Sequence, residues 1–199
     1  MKGRILVLPI AAALIAGVSL WRIEWQKTHR QRPPIELPAD VRTVEALKFT
    51  LNDQTGRATK LDAYLGRTRL VLLFPGEGRN LERSASLATL ADIQPALAAT
   101  GIQALVVTPA LSSEVRSAQS RRGSPFPFPV LTDIILQDPT PLPAHRLWGR
   151  FDEDRGVPLA GLFLIGRAGE TAFANGRPRP VSDIQAVFRQ LAAKEWPGP

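Results

Sequence analysis

Arg-Leu-Val-Leu-Leu-Phe-Pro-Gly-Glu-Gly-Arg-Asn-Leu-Glu-Arg, residues 69–83, is the stretch on which the fold turns. The unbroken apolar run from Leu70 to Phe74 predicts a strand covered on both faces. Pro75, Gly76, Glu77, Gly78, Arg79 and Asn80 predict a turn, and a helix is expected to open at Leu81-Glu82-Arg83. Leu87, Leu90, Ile93 and Leu97 keep helical spacing up to Gly101, with Pro95 expected to kink or restart the helix. A loop that leaves a strand's C-terminal end and enters a helix N-terminus is where α/β proteins place chemistry, because free N–H groups and the helix dipole converge there. Residues 75–80 are therefore the candidate binding turn.

Upstream, Leu47, Phe49 and Leu51 alternate as in a half-buried strand that ends in the turn 52–56. Residues 61–66 predict a short helical turn stopped by Gly66. Downstream, residues 102–107 predict a buried parallel strand, and Ser112 or Ser113 is placed to cap a polar helix reaching Arg122 and stopped by Gly123. Residues 126–131 are held extended by their prolines. A short helix at 144–148, a strand at 162–165, a hairpin turn at 166–169 leading into 170–174, and a helix from Ser182-Asp183 complete the chain. The last helix presents Ile184, Val187, Phe188 and Leu191 on one face. This order predicts an α/β fold, a mixed central sheet with helices on both faces.

Composition narrows the chemistry. The 199 residues, 44% of them hydrophobic, suffice for one ordinary core with an appendage. There is no cysteine, which excludes disulfides, thiolate catalysis, iron–sulfur clusters and cysteine-ligated zinc. His29 and His145 are the only imidazoles. The formal charge of +7 is concentrated near the start, where Lys2, Arg4, Arg22, Lys27, Arg30 and Arg32 face only Glu24 within residues 1–32. The rest of the chain is almost neutral and so lacks the electrostatic motive for nucleic-acid binding. No cofactor and no metal site is expected. Asp152-Glu153-Asp154 reads as a solvated acidic run, and His145 as a surface or half-buried helix residue.

Residues 5–20 carry no charge, follow Lys2 and Arg4, and precede Trp21, Ile23 and Trp25. Sixteen residues span about 24 Å, short of the ~30 Å hydrocarbon core, while counting through Trp25 gives about 32 Å. A transmembrane signal-anchor over residues 1–25 is expected, with Arg22 snorkelling and the tryptophans at the interface. A cleaved signal peptide is the competing reading, against which stand the lack of an A-x-A site and the bulky Trp21 and Trp25. Residues 26–46, with Pro33, Pro34 and Pro38 and no periodic apolar face, predict a semi-rigid tether, and residues 47–196 the globular domain.

Four segments together carry a family resemblance. Phe49-Thr-Leu51 with Gly56 and residues 61–66, then Val71 to Pro75, then Phe126-Pro-Phe-Pro-Val-Leu-Thr-Asp133, then Leu147-Trp-Gly149 followed by residues 162–165 and the Gly169 turn, keep the order and spacing of the peroxiredoxins. From about Val44 to Leu191 the chain resembles a thioredoxin-like domain of the alkyl hydroperoxide reductase and thiol-specific antioxidant group. The resemblance implies a peroxide-attacking cysteine, or a C-x-x-C pair, within positions 78–82. This chain has Gly78, Arg79, Asn80, Leu81 and Glu82 there, so the implied member is one without its reactive sulfur. The family's proline before the 162–165 strand is also missing, Pro158 being the nearest.

Gly76-Glu-Gly-Arg-Asn-Leu81 is one residue away from a dinucleotide fingerprint, but the next strand ends in Val107-Thr108-Pro109 and offers no acid for a ribose. Three expectations follow. The first is a membrane-anchored, redox-inactive binding or assembly module with a protein partner at the turn, its globular part on the extracytoplasmic side. The second is an enzyme of non-thiol chemistry using Glu77, Arg79 and Glu82. The third is a structural membrane subunit.

Overall fold

A computed structural model describes residues 40–76, 80–134 and 141–199, all of them within one unit, Pro38–Pro199. The expected anchor over 1–25 and most of the tether lie outside the described residues. Among those described, no helix is long and apolar enough to cross a membrane.

Six strands form the main sheet: β2 (Thr50–Asp53), β3 (Ala58–Lys60), β4 (Arg69–Pro75), β5 (Ile102–Thr108), β6 (Val130–Thr132) and β9 (Ala160–Ile165). Their spatial order is β3-β2-β6-β5-β4-β9. The three central strands β4, β5 and β6 run parallel, and β9 lies antiparallel to β4 with Pro75 opposite Ala160. This is the mixed sheet expected from the element order.

Helices α1 (Ala85–Asp92), α2 (Gln94–Ala99), α3 (Ser112–Arg122) and α5 (Ile184–Ala192) cover one face. Val71 and Leu73 of β4 point toward them, and Leu70, Leu72 and Phe74 point the other way, all five fully buried. The apolar run is continuous in sequence because both faces of β4 are covered. Pro95 sits in the first turn of α2, so the helical pattern restarts there instead of bending. At α3 the cap differs from the expected serine: Leu111 is the N-cap, and Glu114 closes the end by accepting the Leu111 N–H at 2.7 Å. Gly123 ends the helix in the left-handed region, φ 78°.

On the second face lies the short helix α4 (Pro143–Leu147), after which Trp148 plugs the core. Its ring meets Phe163 at 4.9 Å, Phe163 meets Phe74 edge-on at 5.8 Å, and its Nε1–H donates to the Leu47 carbonyl at 3.1 Å. Each such aromatic pair adds about 0.5–1.5 kcal/mol to the burial it already provides.

Two small pairings were not read from the sequence. Within the stretch expected to be tether, residues 40–43 form β1 (Asp40–Thr43), which pairs antiparallel with β10 (Glu170–Ala174); β10 also pairs with β11 (Arg177–Pro178). Residues around the Asp152 acidic run form a hairpin, β7 (Phe151–Asp152) with β8 (Val157–Pro158). Both involve strands too short for a periodicity to register.

Candidate functional site

Strand β4 delivers its C-terminal end to the start of α1, as the sequence implies. Pro75 is the last residue of the strand, and Gly76 follows at φ +85°. A β-carbon on Gly76 would stand 2.9 Å from the Ala160 nitrogen, so glycine is required there both by backbone conformation and by space. Glu77, Gly78 and Arg79 lie outside the described residues. Asn80 is exposed and opens a single 3-10 turn, Leu81–Arg83, whose Leu81 side chain is buried in the core. Thus helix formation begins with a 3-10 turn at Leu81, and the α-helix proper starts four residues later.

Ser84 makes that second start. Its backbone is extended and its Oγ accepts the Leu87 N–H at 3.4 Å, while the Ser86 hydroxyl lies 3.1 Å away. Glu82 does not face the turn as a free carboxylate. Both of its oxygens accept from Arg121, Nε at 3.0 Å and Nη2 at 3.1 Å, so the C-terminus of α3 is tied to the 3-10 turn. That pairing holds the Glu82 carboxyl below its ordinary value.

These residues border a cleft of ≈ 570 Å³ between the turn, β9 and α5. Pro75, Leu81, Ala160 and Ile184 form its apolar wall, and Asn80, Ser84, Ser86, Gln185 and Arg83 its polar one. Behind Ala160 lies Arg150, whose Nη1 donates to the Ala160 carbonyl at 3.1 Å and whose Nε donates to Gly149 O at 2.7 Å. Burial lowers the pKa of its guanidinium, which also stands over the Phe163 ring.

Among its described lining residues the wall carries one charged side chain, the guanidinium of Arg83, beside the hydroxyls of Ser84 and Ser86 and the amides of Asn80 and Gln185. No group of three or more histidines and acids suited to a metal ion occurs among the described residues.

The titratable pair that the sequence reading missed lies elsewhere. His145, expected at or near the surface, is fully buried, with its Nδ1 2.6 Å from Oδ2 of the equally buried Asp133. Asp133 also accepts the backbone N–H groups of Ala144 at 3.0 Å and His145 at 2.8 Å, so it caps α4 from the end of β6. His145 packs edge-on against Phe74 at 5.0 Å, directly before the candidate turn. The only sequence signal was an acid, Asp133, shortly after the extended segment 126–131, which says nothing about a histidine twelve residues on. The acidic run is likewise spoken for: Asp152 Oδ1 accepts from the N–H groups of Asp154 and Arg155, and Glu153 pairs with Arg146.

No family model matches the chain, and no curated protein matches it either. Solved structures do. It is similar to peroxidoxin BcpB from Mycobacterium tuberculosis, with a TM-score of 0.54 and 16% identity over 78% of this chain and 95% of that one. Peroxiredoxin Q of Xanthomonas campestris aligns with a TM-score of 0.53 and 19% identity over 73% and 90%. The fold is the thioredoxin-like fold of the peroxiredoxins. A secreted M. tuberculosis disulfide oxidoreductase homologous to E. coli DsbE aligns as well, with a TM-score of 0.51 and 16% identity over 75% and 98%. At these identities it is the fold that is shared. This peroxiredoxin fold contains no cysteine at any position.

Proposed function

We propose that this protein is a membrane-tethered, redox-inactive peroxiredoxin-fold domain that binds a protein partner in the cleft beside the β4-to-α1 turn. Its globular part would face the extracytoplasmic side, held there by the apolar segment 5–20. One observation carries the reading. Where the fold brings a strand end and a helix start together, the described wall offers hydrogen-bonding groups and apolar surface but no thiol to exchange electrons. Such a wall suits recognition of a partner, and the missing cysteine removes the group by which this fold would attack a peroxide or a disulfide.

The test is made on the full chain purified in a nonionic detergent. Hydrogen peroxide and an alkyl hydroperoxide are offered with a dithiol reductant, and consumption is followed against a protein-free blank. Consumption equal to the blank is expected, and turnover above it in a metal-free preparation rejects the reading. Partner capture from detergent-solubilised membranes follows, with wild type compared against Asn80→Ala. A stoichiometric partner weakened by that change supports binding at the cleft. A partner indifferent to it, but lost when residues 5–20 are replaced by an unrelated anchor, favours a structural membrane subunit instead.

A further inference from the structure

Asn175 and Gly176 form the tip of the β10–β11 hairpin, and from their geometry we infer that this peptide unit is a site of spontaneous deamidation through a cyclic imide. The Ala174–Arg177 pair closes the two-residue loop, with Asn175 at φ 52° and Gly176 at φ 75°. Positive φ at both central positions marks a type I′ turn, for which Asn-Gly is a favoured pair. Both residues are exposed, and nothing lies within 4 Å of where a β-carbon on Gly176 would stand. The Gly176 N–H donates to no acceptor among the described residues. The hairpin behind it is short, because β11 is only two residues long and its Pro178 has no N–H to give. Opening the tip therefore breaks few bonds and lets the Gly176 nitrogen swing toward the Asn175 side chain.

The reaction needs only water. The Gly176 nitrogen gives its proton to hydroxide and bonds to Cγ of Asn175; the Cγ–Nδ2 bond breaks, and the side-chain amide leaves as ammonia after taking a proton from water. Water then opens the five-membered imide at either carbonyl. Opening at Cγ leaves an aspartate, and opening at the backbone carbonyl carbon leaves a β-linked residue whose chain runs through Cβ and Cγ. The other two asparagines of the chain are placed differently. Asn52 lies inside β2, paired with Ala58 on one side and Thr132 on the other, and the N–H that would attack it, that of Asp53, donates to the Arg57 carbonyl at 2.9 Å. Asn80 is followed by Leu81, whose side chain is anchored in the core. The two products at position 175 act differently on the fold. Aspartate keeps the loop length and adds a negative charge beside the exposed Arg177. The β-linked residue lengthens the loop by one backbone atom, so the pairs Ala174–Arg177 and Phe173–Pro178 cannot both keep their register, while the pairing of β10 with β1 stays intact.

The experiment incubates the full chain in nonionic detergent at mildly alkaline pH and follows each asparagine over days by peptide mapping and mass spectrometry. Methylation by an isoaspartyl methyltransferase labels the β-linked product. A free peptide of residues 172–179, treated in parallel, gives the rate without the fold. Conversion at Asn175 is expected to run about tenfold or more faster than at Asn52 or Asn80, a barrier lower by ~1.4 kcal/mol or more, and to stay within about tenfold of the free peptide. The rate should rise with pH, since the deprotonated nitrogen is the attacking group. Asn175→Gln should remove the modification from this site, because its longer side chain closes only a six-membered ring, and more slowly. Amide exchange at residues 174–178 should quicken in the β-linked fraction while residues 40–43 keep their protection. Conversion at Asn175 no faster than at Asn80 overturns the inference, as does a folded rate far below that of the free peptide, since either result means that the turn locks the nitrogen away from Cγ. Conversion that leaves exchange at residues 174–178 unchanged overturns the loss of register.

Discussion

The Asp133 carboxylate reaches the His145 ring at 2.6 Å with both side chains fully withdrawn from solvent. It thereby joins the end of β6 to α4, and through Phe74 it backs the strand that carries the candidate turn. A carboxylate this buried is tolerable only because three donors surround it.

Asp133→Ala removes the acceptor of all three and leaves buried donors unanswered. A loss of about 3–5 kcal/mol is expected in urea unfolding. His145→Leu, which leaves the two backbone donors to Asp133 in place, should cost less. The double variant should be less damaging than the sum of the singles by about 0.5–3 kcal/mol, because the two side chains share one interaction. Strict additivity would mean the contact contributes nothing of its own.

Gly76→Ala should destabilise the domain more than Gly66→Ala. Both glycines have positive φ, +85° and +74°, so each substitution incurs the backbone cost of roughly 1–2 kcal/mol. Only at Gly76 does the new β-carbon also meet another strand, at the Ala160 nitrogen, whereas nothing lies within 4 Å of one at Gly66. Paired thermal melts decide it; equal losses would show that β9 gives way.

The Glu82–Arg121 contact should make the turn's stability pH-dependent in one direction. The Glu82 carboxyl is held low in the folded chain by Arg121, so its contribution is present above the ordinary carboxylate value and lost as pH falls through the lower folded value. Amide exchange at residues 80–84, compared between wild type and Glu82→Gln, should differ at neutral pH and converge in acid. The effect on global stability is small, since the pair is solvent-exposed.

Ser84→Cys tests whether the turn can activate a thiol. The new sulfur would sit at the N-cap of α1, where N–H groups and the dipole favour the thiolate, so its pKa should fall below the ordinary value of about 8.5. Thiolate absorbance at 240 nm followed against pH measures this directly. A value at or above the ordinary one would show that the start of α1 lends no such support.

What the sequence alone could determine was local or compositional. Leu70 to Phe74 announced a strand covered on both sides, Pro95 and Gly123 marked where helices restart and stop, and Ser182-Asp183 marked the start of α5, because such signals act within a few residues of themselves. The absence of cysteine was equally legible, since no fold can supply a thiol the chain does not contain. Tertiary structure alone decided which distant residues meet: β1 on β10, Arg121 on Glu82, Arg150 against Ala160, and His145 drawn inside to Asp133. These pairings join residues from 10 to about 130 positions apart, each contact individually weak in water. They form because hydrophobic burial of the two core faces has already fixed the elements that carry them.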